Sequence, residues 1–178
     1  MKKLKKEARI WTVGHSTREL ADFIALLRGN GIEAVADVRS LPGSRKFPQF
    51  NAEALGPELL KAGIEYVPMK SLGGRRKTRP DSPNTIWRNA SFRGYADYME
   101  TPEFEAGIQD LLVLAERKRT AIMCAEAVWW RCHRSMISDY LKAVGVTVEH
   151  IIGDGKNTIH PFTSAARIED GRLVYGAA

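Results

Sequence analysis

The chain carries two cysteines, eight residues apart, in the segment Cys124-Ala-Glu126-Ala-Val-Trp-Trp-Arg131-Cys132-His133-Arg134. An apolar run from Thr120 to Cys124 leads into it, and a helical pattern from Arg131 to Val144 follows. Thiol, carboxylate, imidazole and guanidinium groups therefore crowd one strand-to-helix junction. A cysteine becomes a nucleophile when its thiolate is stabilised, and a helix N-terminus with nearby cations does that. Cys132, expected in the first turn of the helix with Arg131 and Arg134 beside it, fits this role. Cys124, at the strand end, fits either a second reactive thiol or a buried, inert small hydrophobe.

Other chemistries are weighed against this one. A short phosphate-binding loop running from a cysteine to an arginine does not match, because Trp130 stands in the register counted from Cys124. Cys124, Cys132, His133 and His15 offer sulfur and nitrogen ligands suited to zinc. Adjacent Cys132 and His133 on a helix point about 100° apart, however, and there is no C-x-x-C pair; no metal is assigned and the cofactor is left open. The stretch Gly73-Gly74-Arg75-Arg76-Lys77-Thr78-Arg79, with Trp87-Arg88 and Phe92-Arg93-Gly94, mixes cations, glycines and aromatics. Such a segment can neutralise phosphates while rings stack on bases, or form a solvated loop with Trp87 in the core. No Walker A or G-x-G-x-x-G pattern is present.

These groups need elements to position them. Short apolar runs at 9–13, 34–38, 64–69, 120–124 and 146–152 read as strands, with a further one expected at 172–175. Between them lie helical patterns, the first capped by Thr17, the second capped by Asn51 and running to Lys61, and a third from Gly94 to Lys118 broken at Thr101-Pro102. Alternating strands and helices predict a single-domain α/β fold: a Rossmann-like open sheet, mainly parallel, of about five strands with helices on both faces. In such a sheet ligands bind beyond the carboxyl ends of the strands. Those ends carry His15 and Ser16, Asp37 and Arg39, Lys70, Cys124 and Glu126, and His150 with Gly153-Asp154-Gly155. Asp37 and Arg39 share one face of their strand, either as a buried ion pair or as a base with an anion grip. Trp129 and Trp130 fit a ligand stack or the core.

At 178 residues, 44% hydrophobic and 27% charged, the chain has the makeup of one soluble globular domain. Residues 1–8 read as a basic tail and 9–178 as the domain. The net charge of +6 and pI near 9.4 suit either an anionic partner or a basic surface kept for solubility. No signal-peptide pattern or apolar run of membrane-spanning length is present. Two cysteines in one polar junction do not resemble a secreted disulfide framework, so a cytoplasmic protein with reduced thiols is expected.

Taken in order, Gly14-His15-Ser16, Asp37-Val38-Arg39 with Pro42 and Ser44, Leu72-Gly73-Gly74, Tyr95 with Tyr98-Met99, Cys124-Ala-Glu126, Cys132-His133-Arg134 and His150-Ile151 resemble the domain-of-unknown-function family 488. The resemblance runs from about Ile10 to Ile152. It implies a compact cytoplasmic α/β protein and supports the choice of site residues without supplying a substrate. The expectation is an enzyme acting on a phosphate-bearing substrate, a nucleotide or nucleic acid. His15, Asp37, Cys124, Glu126, Cys132 and His133 would do the chemistry. Ser16, Arg39, Ser44, Gly73, Gly74, Arg75 and Arg134 would bind the anion. The alternative is a non-catalytic nucleic-acid-binding module using the basic loop 73–94.

Overall fold

A computed structural model describes residues 7–153 and 155–176; the first six residues of the basic tail and Asp154 lie outside the described residues. Eight strands and five helices follow one another: β1 (Arg9–Gly14), α1 (Leu20–Gly29), β2 (Ala34–Asp37), α2 (Ala52–Lys61), β3 (Glu65–Pro68), α3 (Ala90–Tyr98), α4 (Pro102–Arg117), β4 (Thr120–Cys124), α5 (Arg134–Ala143), β5 (Thr147–Ile151), β6 (Thr158–Ile159), β7 (Arg167–Glu169) and β8 (Arg172–Val174). The main sheet has the order β3-β2-β4-β1-β5-β6. Its first five members run parallel and β6 is antiparallel to β5.

Burial explains why the strands read as they do. β2 and β4 are buried along their whole lengths, because a parallel strand covered by helices on both faces is apolar throughout. One core packs Phe23 and Leu27 of α1 and Leu55 and Leu59 of α2 against Trp11, Val13, Val35, Ala121 and Met123. The other packs α3, α4 and α5 through Tyr95, Phe104, Ile108, Met136 and Leu141 against Ile10, Ala36, Ile122 and Cys124. β3 lies at the sheet edge and is only partly buried, a setting in which a strand tolerates Pro68.

β4 is inserted between β1 and β2. The connections leaving β1 and β2 use the first core, whereas the helix after β4 uses the second. The chain therefore parts to opposite faces on either side of β4, which opens a crevice at its carboxyl end.

Some elements differ locally from those expected. α1 begins at Leu20 with Glu19, not Thr17, in the N-cap position and no side-chain cap bond; Ser16 takes a left-handed backbone (φ 51°) in the turn before it. Asn51 does cap α2 in position, but its side-chain oxygen accepts from the Ser44 amide at 2.6 Å instead of from the helix. Thr101 caps α4 through the Phe104 amide as expected. The last strand pairs with β7 in a separate hairpin. Among the described residues no helix is long and apolar enough to cross a membrane.

Candidate functional site

The site is built outward from β4. Beyond the regular ladder, His15 N donates to Cys124 O and Ser16 N to Ala125 O, both at 3.0 Å, and Val38 N donates to Met123 O at 3.1 Å. These bonds draw the ends of β1 and β2 onto the turn 124–127. Gly14 permits the approach, since a Cβ there would lie 1.7 Å from the Glu126 carbonyl oxygen.

Above this edge is a cavity of about 380 Å³ lined by Arg39, Gly74, Arg75, Cys124, Glu126, Cys132 and His133, all expected site residues. Gly74 lines it closely enough that a Cβ would meet His133 Nδ1 at 3.0 Å. Arg131, Ser91, Phe92 and Tyr95 also line it. Of these, Arg131 stood in the cysteine segment and Tyr95 in the family resemblance. Phe92 stood among the aromatics of the basic stretch, and Ser91 has a readable signal only in Asn89, which caps α3 through the Ser91 and Phe92 amides.

Cys132 lies two residues before α5, with His133 in the N-cap position, so it does not sit in the first turn. Its Sγ accepts from the Arg134 amide at 3.4 Å, while its carbonyl accepts from Ser135 N at 3.1 Å and Ser135 Oγ at 2.9 Å. A thiolate in that position meets the positive end of the helix dipole. Cys124 Sγ lies 3.1 Å from Cys132 Sγ. The hydrogen bond from Cys124, together with the Arg134 guanidinium and amide, draws the Cys132 thiol down to about 7 against the opposing effect of burial. The same bond and burial push Cys124 well up. One thiol of the pair is thus poised to ionise and the other to remain protonated.

Among the described residues Arg134 is the largest fully buried side chain, 1% exposed. Its Nη2 donates to Glu126 O at 3.0 Å and its Nε has no partner. Among the described residues it forms no ion pair with a carboxylate. A buried guanidinium without a counter-ion is costly, and the Cys132 thiol, whose ionised form its charge favours, is a group able to supply one.

Asp37 and Arg39 form a buried bidentate pair, Nε to Oδ1 at 2.9 Å and Nη2 to Oδ2 at 2.7 Å. Asp37 also accepts from the Arg39 amide and the Tyr66 hydroxyl, so both its oxygens are engaged and it aims Arg39 at the cavity. Tyr66 had no mark in the sequence beyond its place in an apolar strand. His15 lies behind Arg39: its Nδ1 bonds Ser16 O at 2.9 Å and its Nε2 faces Arg39 Nη1 at 3.4 Å. The tautomer satisfying both carries its proton on Nδ1, and burial lowers the ring's pKa. It stacks on Phe50 with centroids 4.3 Å apart.

His133 turns away from the thiols, and its Nε2–H donates to Val38 O at 2.8 Å. Burial lowers it to about 4. Ser44 is remote from the cavity and organises the loop before α2, its Oγ accepting from the Lys46 amide at 3.1 Å. Gly73 packs on Ser40. Among the described residues no group of three or more His, Cys, Asp or Glu side chains could hold a metal ion.

In the loop 73–94, Arg76 donates to Gly73 O and Lys70 O and stacks 3.7 Å from the Tyr98 ring. Asp97 gathers Arg79 N, Ser82 Oγ and Asn84 Nδ2. Trp87 packs against Phe92 and Tyr175. The loop is pinned to α3 and its tryptophan is directed inward.

Behind Arg134 runs a buried polar chain that sequence reasoning missed apart from His150. Thr12 Oγ1 bonds His150 Nδ1 at 2.5 Å, His150 Nε2 bonds His160 Nδ1 at 2.8 Å, and His160 Nε2 bonds Asp139 Oδ1 at 2.8 Å. Asp139 also accepts from Thr163 and Tyr175, and Trp129 stacks on His150 at 4.6 Å. Only the tertiary pairing of β1, β5 and β6 brings these residues together, which is why spacing did not reveal them.

His133 and His150 have folded pKa values below the ordinary 6.5, each chiefly through burial. A histidine kept neutral in the fold but free to protonate when unfolded costs stability as the pH falls below 6.5. The slope is about 1.4 kcal/mol per pH unit for each group. For His133 the loss continues down to about 4. Urea titrations at pH 7, 6 and 5 should therefore show falling midpoints, and His133→Gln should flatten the trend.

No curated protein and no solved structure matches the chain. A family model does match, over residues 19–141, a span that contains the Asp37–Arg39 pair, the basic loop and the whole Cys124–Arg134 junction. With more than half of its length matched, the chain belongs to the family described as Domain of unknown function DUF488.

Proposed function

We propose that the protein is a thiol-dependent enzyme acting on a phosphate-bearing anion. The observation that carries this reading is Arg134, a buried cation with no carboxylate partner among the described residues, set against Cys132 at the base of an open cavity. Cys132 is the nucleophile, with Arg134 stabilising its thiolate. Arg39, Arg75 and Arg131 offer positive charge to the substrate from the cavity wall. Asp37 and His15 are positioning residues that hold Arg39. Glu126, exposed at the same wall, is the candidate for proton transfer to the leaving group. A cavity of about 380 Å³ is at the small end of ligand pockets, which favours a nucleotide-sized substrate over a polymer. The inward packing of Trp87 also weighs against base stacking by the loop.

Alkylation by iodoacetamide, followed as a function of pH, tests the reading. The Cys132 rate should rise with a midpoint near 7. In Arg134→Met the midpoint should move upward, because the guanidinium that favours the thiolate is gone while the Cys124 hydrogen bond stays. Millimolar AMP or inorganic phosphate should protect Cys132 in the wild type and protect it less in Arg75→Ala. A midpoint unmoved by Arg134→Met, with no protection by either anion, would remove the basis for the proposal.

A further inference from the structure

The proposed chemistry leaves Cys124 without a task, although it lies as close to Cys132 as any polar group of the site. From this pairing we infer that Cys132 and Cys124 form a dithiol–disulfide couple that reduces small anionic disulfides, Cys132 attacking and Cys124 resolving. The inference rests on the reading of Cys132 as a reactive thiolate but adds a second nucleophile and an electron-transfer activity.

Three features carry it. The sulfur atoms are 3.1 Å apart, about 1 Å beyond a disulfide bond length. Their settings are unequal: Cys132 is partly exposed, whereas Cys124 is 2% exposed, so an incoming disulfide is offered one sulfur first. Cys132 also lies between a short 3-10 turn (Trp129–Arg131) and the start of α5, where a small backbone adjustment does not break a regular ladder. The arginines of the cavity wall favour an anionic disulfide over a neutral one.

In the first step the Cys132 thiolate attacks one sulfur of R–S–S–R; a Cys132–S–S–R bond forms and one RS⁻ leaves. Cys124 then loses its proton, and its sulfur attacks Cys132 Sγ. The intramolecular disulfide forms, the second RS⁻ leaves, and the proton passes to solvent or to the departing thiolate. Two protein thiols are oxidised and one external disulfide is reduced to two thiols. A further thiol, or a dithiol in the surroundings, would return the couple to its starting state.

Dithiobis(nitrobenzoate), an anionic aromatic disulfide whose released thiolate absorbs visible light, tests the inference on the folded protein. The wild type should release twice as much thiolate as Cys124→Ser, and its mass should fall by two hydrogens with no adduct retained. Cys124→Ser, or Cys124→Ala should the serine variant fail to fold, should stop at a stable aromatic adduct on Cys132. Cys132→Ser should lose the fast phase. Peptide mapping without reductant should join Cys124 to Cys132 in the treated wild type. A wild type that keeps one adduct on Cys132, or one on each cysteine, overturns the couple while leaving a reactive Cys132 intact. No fast release from the native protein overturns both the couple and the thiolate reading beneath it.

Discussion

Replacing Gly14 by alanine is expected to cost about 3 kcal/mol or more, at the upper end of what overpacking does. The added methyl would stand 1.7 Å from the Glu126 carbonyl oxygen, and both sides of that contact are backbone, so no rotamer change can relieve it. The turn 124–127 must move instead. With it goes the acceptor of the Arg134 Nη2 bond, and the amides of His15 and Ser16 lose their carbonyl partners on the turn. Urea titration measures the stability loss, and iodoacetamide alkylation should show Cys132 losing its reactivity near neutral pH. Gly29→Ala is the matched control. Nothing lies within 4 Å of a Cβ at Gly29, at the end of α1, so alanine should leave stability unchanged or raise it by up to about 1 kcal/mol. Equal losses in the two variants would contradict the packing argument.

Asp37→Ala should be comparably severe, at about 3–5 kcal/mol, because removing one partner of a buried ion pair strands the other charge. Asp37 is 1% exposed and Arg39 9%. The carboxylate accepts from the Arg39 amide, Nε and Nη2 and from the Tyr66 hydroxyl, so its loss leaves several donors unmet at once. Removing both charges is the informative comparison. Asp37→Ala combined with Arg39→Met should be more stable than Asp37→Ala alone by about 2 kcal/mol, since a buried pair can often be replaced by apolar groups at little cost. Strict additivity of the two substitutions would mean that the pair is not coupled through its charges.

The two variants concern residues that differed in how far they could be read in advance. Asp37 and Arg39 stood out as alternate residues at a strand end, and pairing within one strand face follows from the two-residue period. Gly14 stood out only as the first residue of the Gly14-His15-Ser16 motif. Its actual constraint is the passage of the Glu126 carbonyl across β1, a contact between segments more than a hundred residues apart in the sequence. Ser44 shows the opposite case: a residue taken from a motif serves the loop before α2, because a serine hydroxyl accepts readily from amides two or three residues on.

The alternation of short apolar runs with helical periods was enough to define a mainly parallel α/β sheet with helices on both faces, because the two periods reflect local backbone geometry. It was also enough to bring the strand ends to one edge, since parallel strands share a direction. Strand order was not determined locally. That β4 lies between β1 and β2 depends on which faces the crossovers cover, and it is this insertion that brings the cysteine junction between His15 and the Asp37–Arg39 pair. The separate environments of the two thiols, and the chain from Thr12 through His150 and His160 to Asp139, likewise arise from burial and from contacts across the sheet. A residue's type states which bonds it can make; only the packed structure decides which partners lie within reach and how much water is left to compete with them.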